Sequence, residues 1–300
     1  MAVASGLPPA YARSRPAMLR PRLYLLAAAL LWSTAGAAVK LSTLSAYQIA
    51  SGRSLIAALV LWLAFPAGRK RPSLRALGVA VAYAATVVLF IIANKLTTAA
   101  NAIFLQDTAP LYVLLLSPLL LREKPSRGEL MAAPIFLLGL SLFFLDQLQP
   151  GQLLGNGIAL ASGVAFALTI LGLRAASSEG QVVLVWGNLL AGVSVLLPAL
   201  GGPTPTVLDV GLLVFLGVFQ LGLAYTLFNL GIRETPAVEA SLLILLEPVL
   251  NPVWTFILAG ERPGPWALVG GSIILLATAW RTVLGARSAG SPAQRTTAEQ

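Results

Sequence analysis

The sequence predicts an all-α integral membrane protein, with ten transmembrane helices arranged as two inverted five-helix repeats. Three observations lead to this fold class. The chain of 300 residues is 57% hydrophobic and 10% charged, whereas about a quarter of a soluble domain is charged. Its apolar residues fall into ten long runs joined by short connections. One sequence motif also recurs, at constant spacing, in both halves of the chain.

The ten apolar runs approach the length of a membrane helix, about 20 residues for a hydrocarbon core of roughly 30 Å. They are Leu23–Leu41, Ala46–Phe65, Leu74–Ala93, Ala99–Leu121, Glu129–Leu145, Leu153–Leu173, Val182–Leu200, Val210–Leu230, Pro236–Ala259 and Trp266–Leu284. The short connections leave no room for a soluble domain. We therefore expect one repeat over residues 23–146, a second, inverted repeat over 152–285, and disordered cytoplasmic ends at 1–22 and 286–300.

The first run also has the features of a secretory signal. Basic residues precede it, and the small residues Ala35–Ala38 end it. Cleavage there would remove one helix and leave a helix of the second repeat unmatched. We therefore interpret the first run as a retained helix.

The basic residues predict the orientation of the helices. Positive residues favour the cytoplasmic side of a membrane. With a cytoplasmic N-terminus, sixteen of the twenty Lys and Arg residues lie inside; only Lys40, Lys95 and Arg262 lie outside, and Arg53 falls within a span. Both termini are thus expected in the cytoplasm, and the chain in the inner (plasma) membrane. Because the basic residues lie between apolar runs and not on one polar element, no nucleic-acid partner is expected.

The recurring motif is T-x4-A-x7-P-x12-E-[KR]-P, which begins at Thr97 and again, 138 residues later, at Thr235. Each repeat has an odd number of helices, so the second copy must run in the opposite orientation. Inverted repeats are typical of secondary transporters, in which interrupted helices at matching positions mark the binding site. Pro110 and Pro248 form such a matched pair and are predicted to break spans four and nine as parts of a gate. Static bending of both helices is the alternative.

Two stretches resemble the signature of the EamA-type drug/metabolite transporter superfamily: TTAANAIFLQDTAPLYVLLLSPLLLREKP and its weaker copy TPAVEASLLILLEPVLNPVWTFILAGERP. The chain is most similar to the YddG-like bacterial amino-acid exporters, over roughly Tyr24 to Leu284. The resemblance implies a central cavity open to one side at a time and export of amino acids, neutral or aromatic, or of related small metabolites, by alternating access. A broad-specificity drug or other metabolite carrier of the same fold is the alternative. A sugar-nucleotide substrate is disfavoured, because its diphosphate would need more buried basic residues than Arg53 alone.

Only Arg53, Asp107 and Glu247 carry charge well inside the spans. Such residues face the protein interior, where they pair or line a pathway. Arg53 and Asp107 lie at similar depth and are expected to form an ion pair or to contact a zwitterionic substrate. Glu247 has no basic residue at its level, so it is either a proton carrier, because isolated burial favours the protonated form, or a neutral acid hydrogen-bonded to a carbonyl freed by a helix break. Proton-coupled and passive transport both stay open.

Aromatic and amide residues in the middle of the spans are the candidate substrate-binding residues. Aromatic rings offer faces to an apolar side chain, and amides bind polar groups of a small molecule. The candidates are Trp32, Tyr83, Phe90, Asn101, Gln106, Phe166, Trp186, Tyr225, Phe228 and Asn229.

The composition also disfavours other classes of protein. The chain has no Cys and no His, so thiolate and imidazole metal sites and Ser-His or Cys-His nucleophiles are excluded; no metal or cofactor is expected. Asp107 and Glu247 are the one conceivable carboxylate pair for an enzyme, and no motif around them supports catalysis. A channel would need a continuous polar stripe along its spans. The spans of this chain have only scattered polar residues, so a channel is disfavoured. The expected partners are a small-molecule substrate and membrane lipid; the oligomeric state is open, and a monomer would suffice.

Overall fold

The computed structural model describes residues 15–97, 99–145, 153–259 and 265–288, and all regular elements within these ranges are helical. The α-helices are α1 (Arg15–Trp32), α2 (Ala35–Leu41), α3 (Ala46–Ala64), α4 (Leu74–Leu96), α5 (Ala99–Gln106), α6 (Ala109–Leu120), α7 (Arg127–Leu145), α8 (Leu153–Ala175), α9 (Gly180–Ser194), α10 (Leu196–Leu200), α11 (Val207–Phe215), α12 (Ala224–Ile232), α13 (Ala237–Leu243), α14 (Leu246–Ala259) and α15 (Pro265–Ser288). A 3₁₀ turn covers Pro66–Arg69, and a π-helical segment, Leu216–Leu223, joins α11 to α12.

Seven stretches of the described chain are long and apolar enough to cross a membrane. They are Leu19–Leu41, Ala46–Ala64, Leu74–Leu96, Asn101–Leu120, Leu153–Ala175, Val207–Ile232 and Ala237–Leu258. The other three predicted spans are helical, as α7, α9 with α10, and α15, although they are not among these seven. Large apolar side chains such as Leu115, Leu119 and Leu197 are exposed on the bundle surface, as expected for helices that face lipid.

Both terminal helices extend beyond the spans predicted from the sequence. Helix α1 begins at Arg15, so residues 15–22 are helical, and α15 continues to Ser288. Arg22 is held in the bundle because its Nε donates to Glu239 Oε1 at 2.7 Å. Residues 1–14 and 289–300 lie outside the described residues, as do Glu261, Arg262 and Pro263 of the second motif copy.

Two spans are interrupted at equivalent positions of the repeat. α5 and α6 are separated at Asp107–Thr108, and α13 and α14 at Ile244–Leu245; Asp107 and Leu245 are 138 residues apart, which is the spacing of the motif. Pro110 and Pro248 follow directly, each in the first turn of the next helix. A first-turn proline loses no helical hydrogen bond, since those N–H groups are unpaired anyway. The breaks therefore lie just before the prolines and not at them.

A third interruption, between α1 and α2, was not predicted. The helix stops at Trp32, and the hydroxyls of Ser33 and Thr34 donate to the carbonyls of Leu30 and Leu31 at 2.7 and 2.6 Å. Local hydroxyl-to-carbonyl bonds of this kind compete with the helical pattern and bend helices. The indole N–H of Trp254 also donates to the Ser33 hydroxyl at 2.8 Å, so α14 holds the break in place.

The two halves of the chain interlock in the bundle. α4 packs along α8 and α9, α3 packs on α9 and the π-helical segment, and α1 packs on α12. α7 and α15 pack on each other, and α6 contacts α8 and α13.

Each of the two ends of the bundle is named here after one residue that lies there. At the Glu123 end, Glu123 meets Arg174 and Ala237; at the Asp209 end, Asp209 accepts hydrogen bonds from Ser42 and Thr43.

Candidate functional site: a central cavity

A small cavity lies at the centre of the bundle. It is lined by Trp32, Arg53, Thr86, Val87, Phe90, Gln106, Phe166, Gln220, Leu221, Tyr225 and Glu247. Its volume is about 20 Å³, which is room for about one water molecule. In this conformation the cavity is therefore too small for a molecule much larger than water.

The irregular parts of the helices supply much of the cavity lining. Trp32 is the last residue of α1, Gln106 is the last residue of α5, and Glu247 is the second residue of α14. Gln220 and Leu221 belong to the π-helical segment. Backbone irregularities of this kind concentrate at functional sites, because they redirect side chains and leave backbone groups without helical partners.

Aromatic rings form one wall of the cavity. The Trp32 ring centroid lies 5.7 Å from that of Phe166 and 4.7 Å from that of Tyr225. Tyr83 and Phe228 form a second layer: Tyr83 packs on Tyr225 at 4.5 Å, and Phe228 packs on Trp32 at 5.3 Å. The wall therefore presents flat apolar faces that are supported from behind.

Five of the ten candidate substrate-binding residues line the cavity: Trp32, Phe90, Gln106, Phe166 and Tyr225. Besides the second-layer Tyr83 and Phe228, three others lie elsewhere. Trp186 donates to the Lys70 carbonyl, Asn101 donates to the Thr97 hydroxyl, and Asn229 is buried against Gly180. Sequence reasoning missed Thr86, Val87, Gln220 and Leu221. Of these, only Gln220 had a clear signal, as an amide in the middle of an apolar span.

The predicted ion pair between Arg53 and Asp107 is wrong. The Arg53 guanidinium donates from Nη1 to Gln220 Oε1 at 3.0 Å and from Nη2 to the Val87 carbonyl at 2.8 Å. Asp107 instead lies in a separate, mostly apolar pocket with Pro110 and Phe136, and its Oδ2 has no hydrogen-bond partner among the described residues. The two residues have similar predicted depth, but they line different pockets.

Glu247 faces the cavity without a direct partner. Its carboxylate makes no hydrogen bond or ion pair with the described residues, and its electrostatic neighbours are Asp107 and Tyr225. The hydrogen bond from a neutral Glu247 acid to a carbonyl freed by the helix break stays a prediction. The carboxylate is available to a cation or a proton that enters the cavity.

A polar network joins the two halves of the chain at the Glu123 end of the bundle. Glu123 accepts from Arg174 Nε at 2.8 Å and from the Ala237 backbone N–H at 3.2 Å. Arg174 also donates to the carbonyls of Ile232 and Arg233. A cavity of about 450 Å³ lies here, lined by Glu123, Lys124, Ser126, Glu129, Arg174, Pro236 and Glu239. The network ties the α6–α7 connection of the first half to helices of the second half.

A bundle of membrane-spanning helices interrupted around a small central cavity, with polar and aromatic walls, is the architecture of a membrane transporter. The chain belongs to the EamA-like transporter family, which it matches over residues 20–145 and 152–282. The two matched regions correspond to the two repeats predicted from the sequence, and the predicted superfamily is confirmed.

One similar protein supports this assignment, and a second shows the same fold. An "Uncharacterized transporter" of Archaeoglobus fulgidus is 31% identical over 219 residues, which cover 70% of this chain and 78% of the relative. A solved chain described as "Crystal structure of protein" shares the fold, with a TM-score of 0.75 at 20% sequence identity over 90% of this chain and 99% of that chain.

Proposed function

We propose that the protein is a secondary transporter of the inner (plasma) membrane that exports amino acids, neutral or aromatic, or related small metabolites by alternating access. It acts as a carrier and not as an enzyme. The observation that carries this proposal is the cavity lining: one guanidinium, one carboxylate without a direct partner and an aromatic wall surround a single space. A zwitterion with an apolar side chain has matching groups for all three surfaces.

The charges suit a zwitterion better than a simple cation or anion. Arg53 and Glu247 both line the cavity, yet they form no ion pair with each other in the described structure. Each charge is therefore free to meet the opposite charge of an amino acid. Arg53 would bind the carboxylate and Glu247 the ammonium group, while the aromatic wall holds the side chain.

The proposed topology is ten helices in two inverted repeats, with both termini cytoplasmic. The matched breaks at Asp107 and Leu245 support the repeats. Contacts at the bundle ends support the topology. Residues assigned to the inside from the positive-inside pattern, such as Arg174 and Glu123, meet at one end, and residues assigned to the outside, such as Ser42 and Asp209, meet at the other. The Glu123 end is then the cytoplasmic end.

The decisive experiment is flux of radiolabelled amino acids into liposomes that contain the purified protein, with and without a pH gradient. Glu247→Gln keeps the size of the side chain and removes its charge. We expect neutral and aromatic amino acids to cross, and the substitution to lower their flux by about tenfold or more, since a charge-assisted hydrogen bond of about 1.5–3 kcal/mol is lost. Gln181→Glu, on α9 and outside the cavity lining, serves as a control with unchanged flux.

The pH gradient separates the two modes of transport. Accumulation that follows the gradient and disappears in Glu247→Gln would make Glu247 the proton-coupling residue. Equilibration that ignores the gradient would identify a facilitator in which Glu247 binds substrate only. If no amino acid crosses while cationic drugs do, the carrier is a drug transporter and the amino-acid proposal is wrong.

A further inference from the structure

Arg53 is a cation in the interior of the bundle with no carboxylate in direct contact, although Glu247 lines the same cavity. Its side chain is 1% exposed, and it forms no ion pair with any carboxylate of the described residues. Its Nε also lacks a hydrogen-bond partner there. Burying a charge without a counter-charge is strongly unfavourable. The site therefore favours a ligand that brings a negative charge to the guanidinium.

Gln220 fixes the direction of that guanidinium. An arginine side chain has donors only, so the amide oxygen of Gln220 must face it, as the 3.0 Å bond from Nη1 to Oε1 shows. The amide NH₂ of Gln220 then points away from Arg53, and it has no partner among the described residues. Because both side chains line the cavity, the two groups together present N–H donors to it.

The π-helical segment is what brings Gln220 to Arg53. A Cβ on Gly217 would lie 2.7 Å from Ile56 and 2.8 Å from the Arg53 carbonyl oxygen, so only glycine permits this approach of the segment to α3. Gln220 follows three residues later in the same segment. The irregular turn and the glycine therefore set the distance between the amide and the guanidinium.

We propose that Gln220 positions Arg53, and that the two side chains bind the carboxylate of the transported amino acid. This inference rests on the proposed function and names the ligand group that the site requires. A guanidinium binds both oxygens of a carboxylate through parallel N–H donors, and the Gln220 NH₂ adds a further donor. A primary amide has one acceptor oxygen and no negative charge, and an amine has no acceptor oxygen, so neither group replaces a carboxylate at Arg53 and Gln220.

The test measures binding to the purified full-length protein, through the fluorescence of its tryptophans, since Trp32 lies in the cavity wall. Four probes share one aromatic ring: L-phenylalanine, 3-phenylpropionate, phenethylamine and L-phenylalaninamide. We expect the amide to bind about tenfold or more weakly than phenylalanine. The two probes with a carboxylate report on Arg53 and Gln220, and phenethylamine reports on the rest of the cavity.

Gln220→Glu keeps the shape of the side chain and pairs Arg53 within the protein. We expect the affinity for both carboxylate probes to fall by about tenfold to hundredfold, with phenethylamine bound as well as before. Gln181→Glu, which adds the same charge outside the cavity, leaves all four affinities unchanged. If Gln220→Glu does not fold, Gln220→Leu removes the acceptor for Arg53 and must weaken the same two probes selectively.

Unchanged carboxylate affinity in these variants, or an equal loss for phenethylamine, overturns the proposal. Liposome flux separates this result from a failure of the proposed function. Selective loss of carboxylate binding without any amino-acid flux would support the site and contradict the carrier of amino acids. Flux of phenylalanine that is the same in wild type and Gln220→Glu would support the carrier and contradict the site.

Discussion

A single hydroxyl, that of Ser162, joins three helices beside the cavity. It accepts from Gln106 Nε2 at 2.7 Å and donates to the Thr86 carbonyl at 3.0 Å, so it links α8 to α5 and α4. The Ser162 side chain is fully buried, where no solvent replaces either bond. The hydroxyl thus holds Gln106, at the end of an interrupted helix, in its position at the cavity.

We expect Ser162→Ala to destabilise the protein and to loosen the cavity. The amide of Gln106 loses its acceptor, which costs about 1 kcal/mol in a membrane bundle and lowers the thermal midpoint by about 2–4 °C. Thermal unfolding in detergent measures the shift. Ser272→Ala is the control, since its hydroxyl bonds within α15 on an exposed face; equal midpoints for the two variants would contradict the role of Ser162.

For single residues, the sequence shows which polar side chains face the protein interior, but it does not show which partners they contact. Arg53, Gln106 and Glu247 stand out because a polar group inside an apolar span has to face the protein interior. Their partners depend on the rotation of each helix about its axis, which depth in the membrane does not specify. Arg53 therefore bonds Gln220 and not Asp107. Trp186 and Asn101 lie outside the cavity lining for the same reason.

Interrupted helices are the elements that shape the site, and glycines let their neighbours approach them. Gly163 of α8 packs against the end of α5, where an added Cβ would lie 2.9 Å from the carbonyl oxygens of Gln106 and Leu105. Gly157, two turns earlier on the same helix, has nothing within 4 Å of its added Cβ. Position 163 therefore requires a residue without a side chain, whereas position 157 does not.

Gly163→Ala should push the end of α5 away from α8 and displace Gln106 from the cavity. Backbone atoms yield less readily than side-chain ends, so we expect a loss of stability of about 1–3 kcal/mol and lower transport. Gly157→Ala should leave transport unchanged and raise stability by about 0.5–1 kcal/mol, because alanine favours the helix. Thermal unfolding and liposome flux measure both variants. Similar losses for the two would show that the close contact at α5 is unimportant.

The length of the apolar runs predicts the helices, but it does not predict where they are interrupted. Two breaks follow from the repeated proline, since a Pro at one position of each copy marks the start of a new helix. The break after Trp32 and the π-helical segment have no proline. They arise from hydroxyls that bond locally, from the Trp254 contact to Ser33, and from the close packing of Gly217. A hydropathy pattern carries no information about such hydrogen bonds and packing contacts.

At the scale of the whole molecule, charged contacts join the two halves of the chain at the Glu123 end, beside the cavity of about 450 Å³. Alternating access requires the two halves to separate at one end at a time. Glu123 bonds both Arg174 and the start of α13, so it connects the two halves where they would separate. Because both charged side chains are partly exposed, the pair contributes only about 1 kcal/mol to the closed state.

Glu123→Gln should therefore shift the equilibrium toward opening at this end without unfolding the protein. The chain contains no cysteine, so Ser241→Cys, buried one turn inside α13, provides a unique site for a membrane-impermeant thiol reagent. We expect labelling about fivefold faster in the Glu123→Gln background, which corresponds to about 1 kcal/mol. The increase should occur only for reagent on the cytoplasmic side, in inside-out vesicles.

Glu179→Gln is the matched control for this experiment. Its carboxylate accepts a hydrogen bond from Ser73 at 2.6 Å and lies only five residues after Arg174, but it does not bond α13. Labelling that accelerates equally in both variants would mean that charge removal loosens this end in general. Faster labelling from the outside would reverse the proposed orientation. Acceleration by Glu123→Gln alone, from the cytoplasmic side, would identify the Glu123–Arg174 pair as the contact that holds the cytoplasmic gate closed.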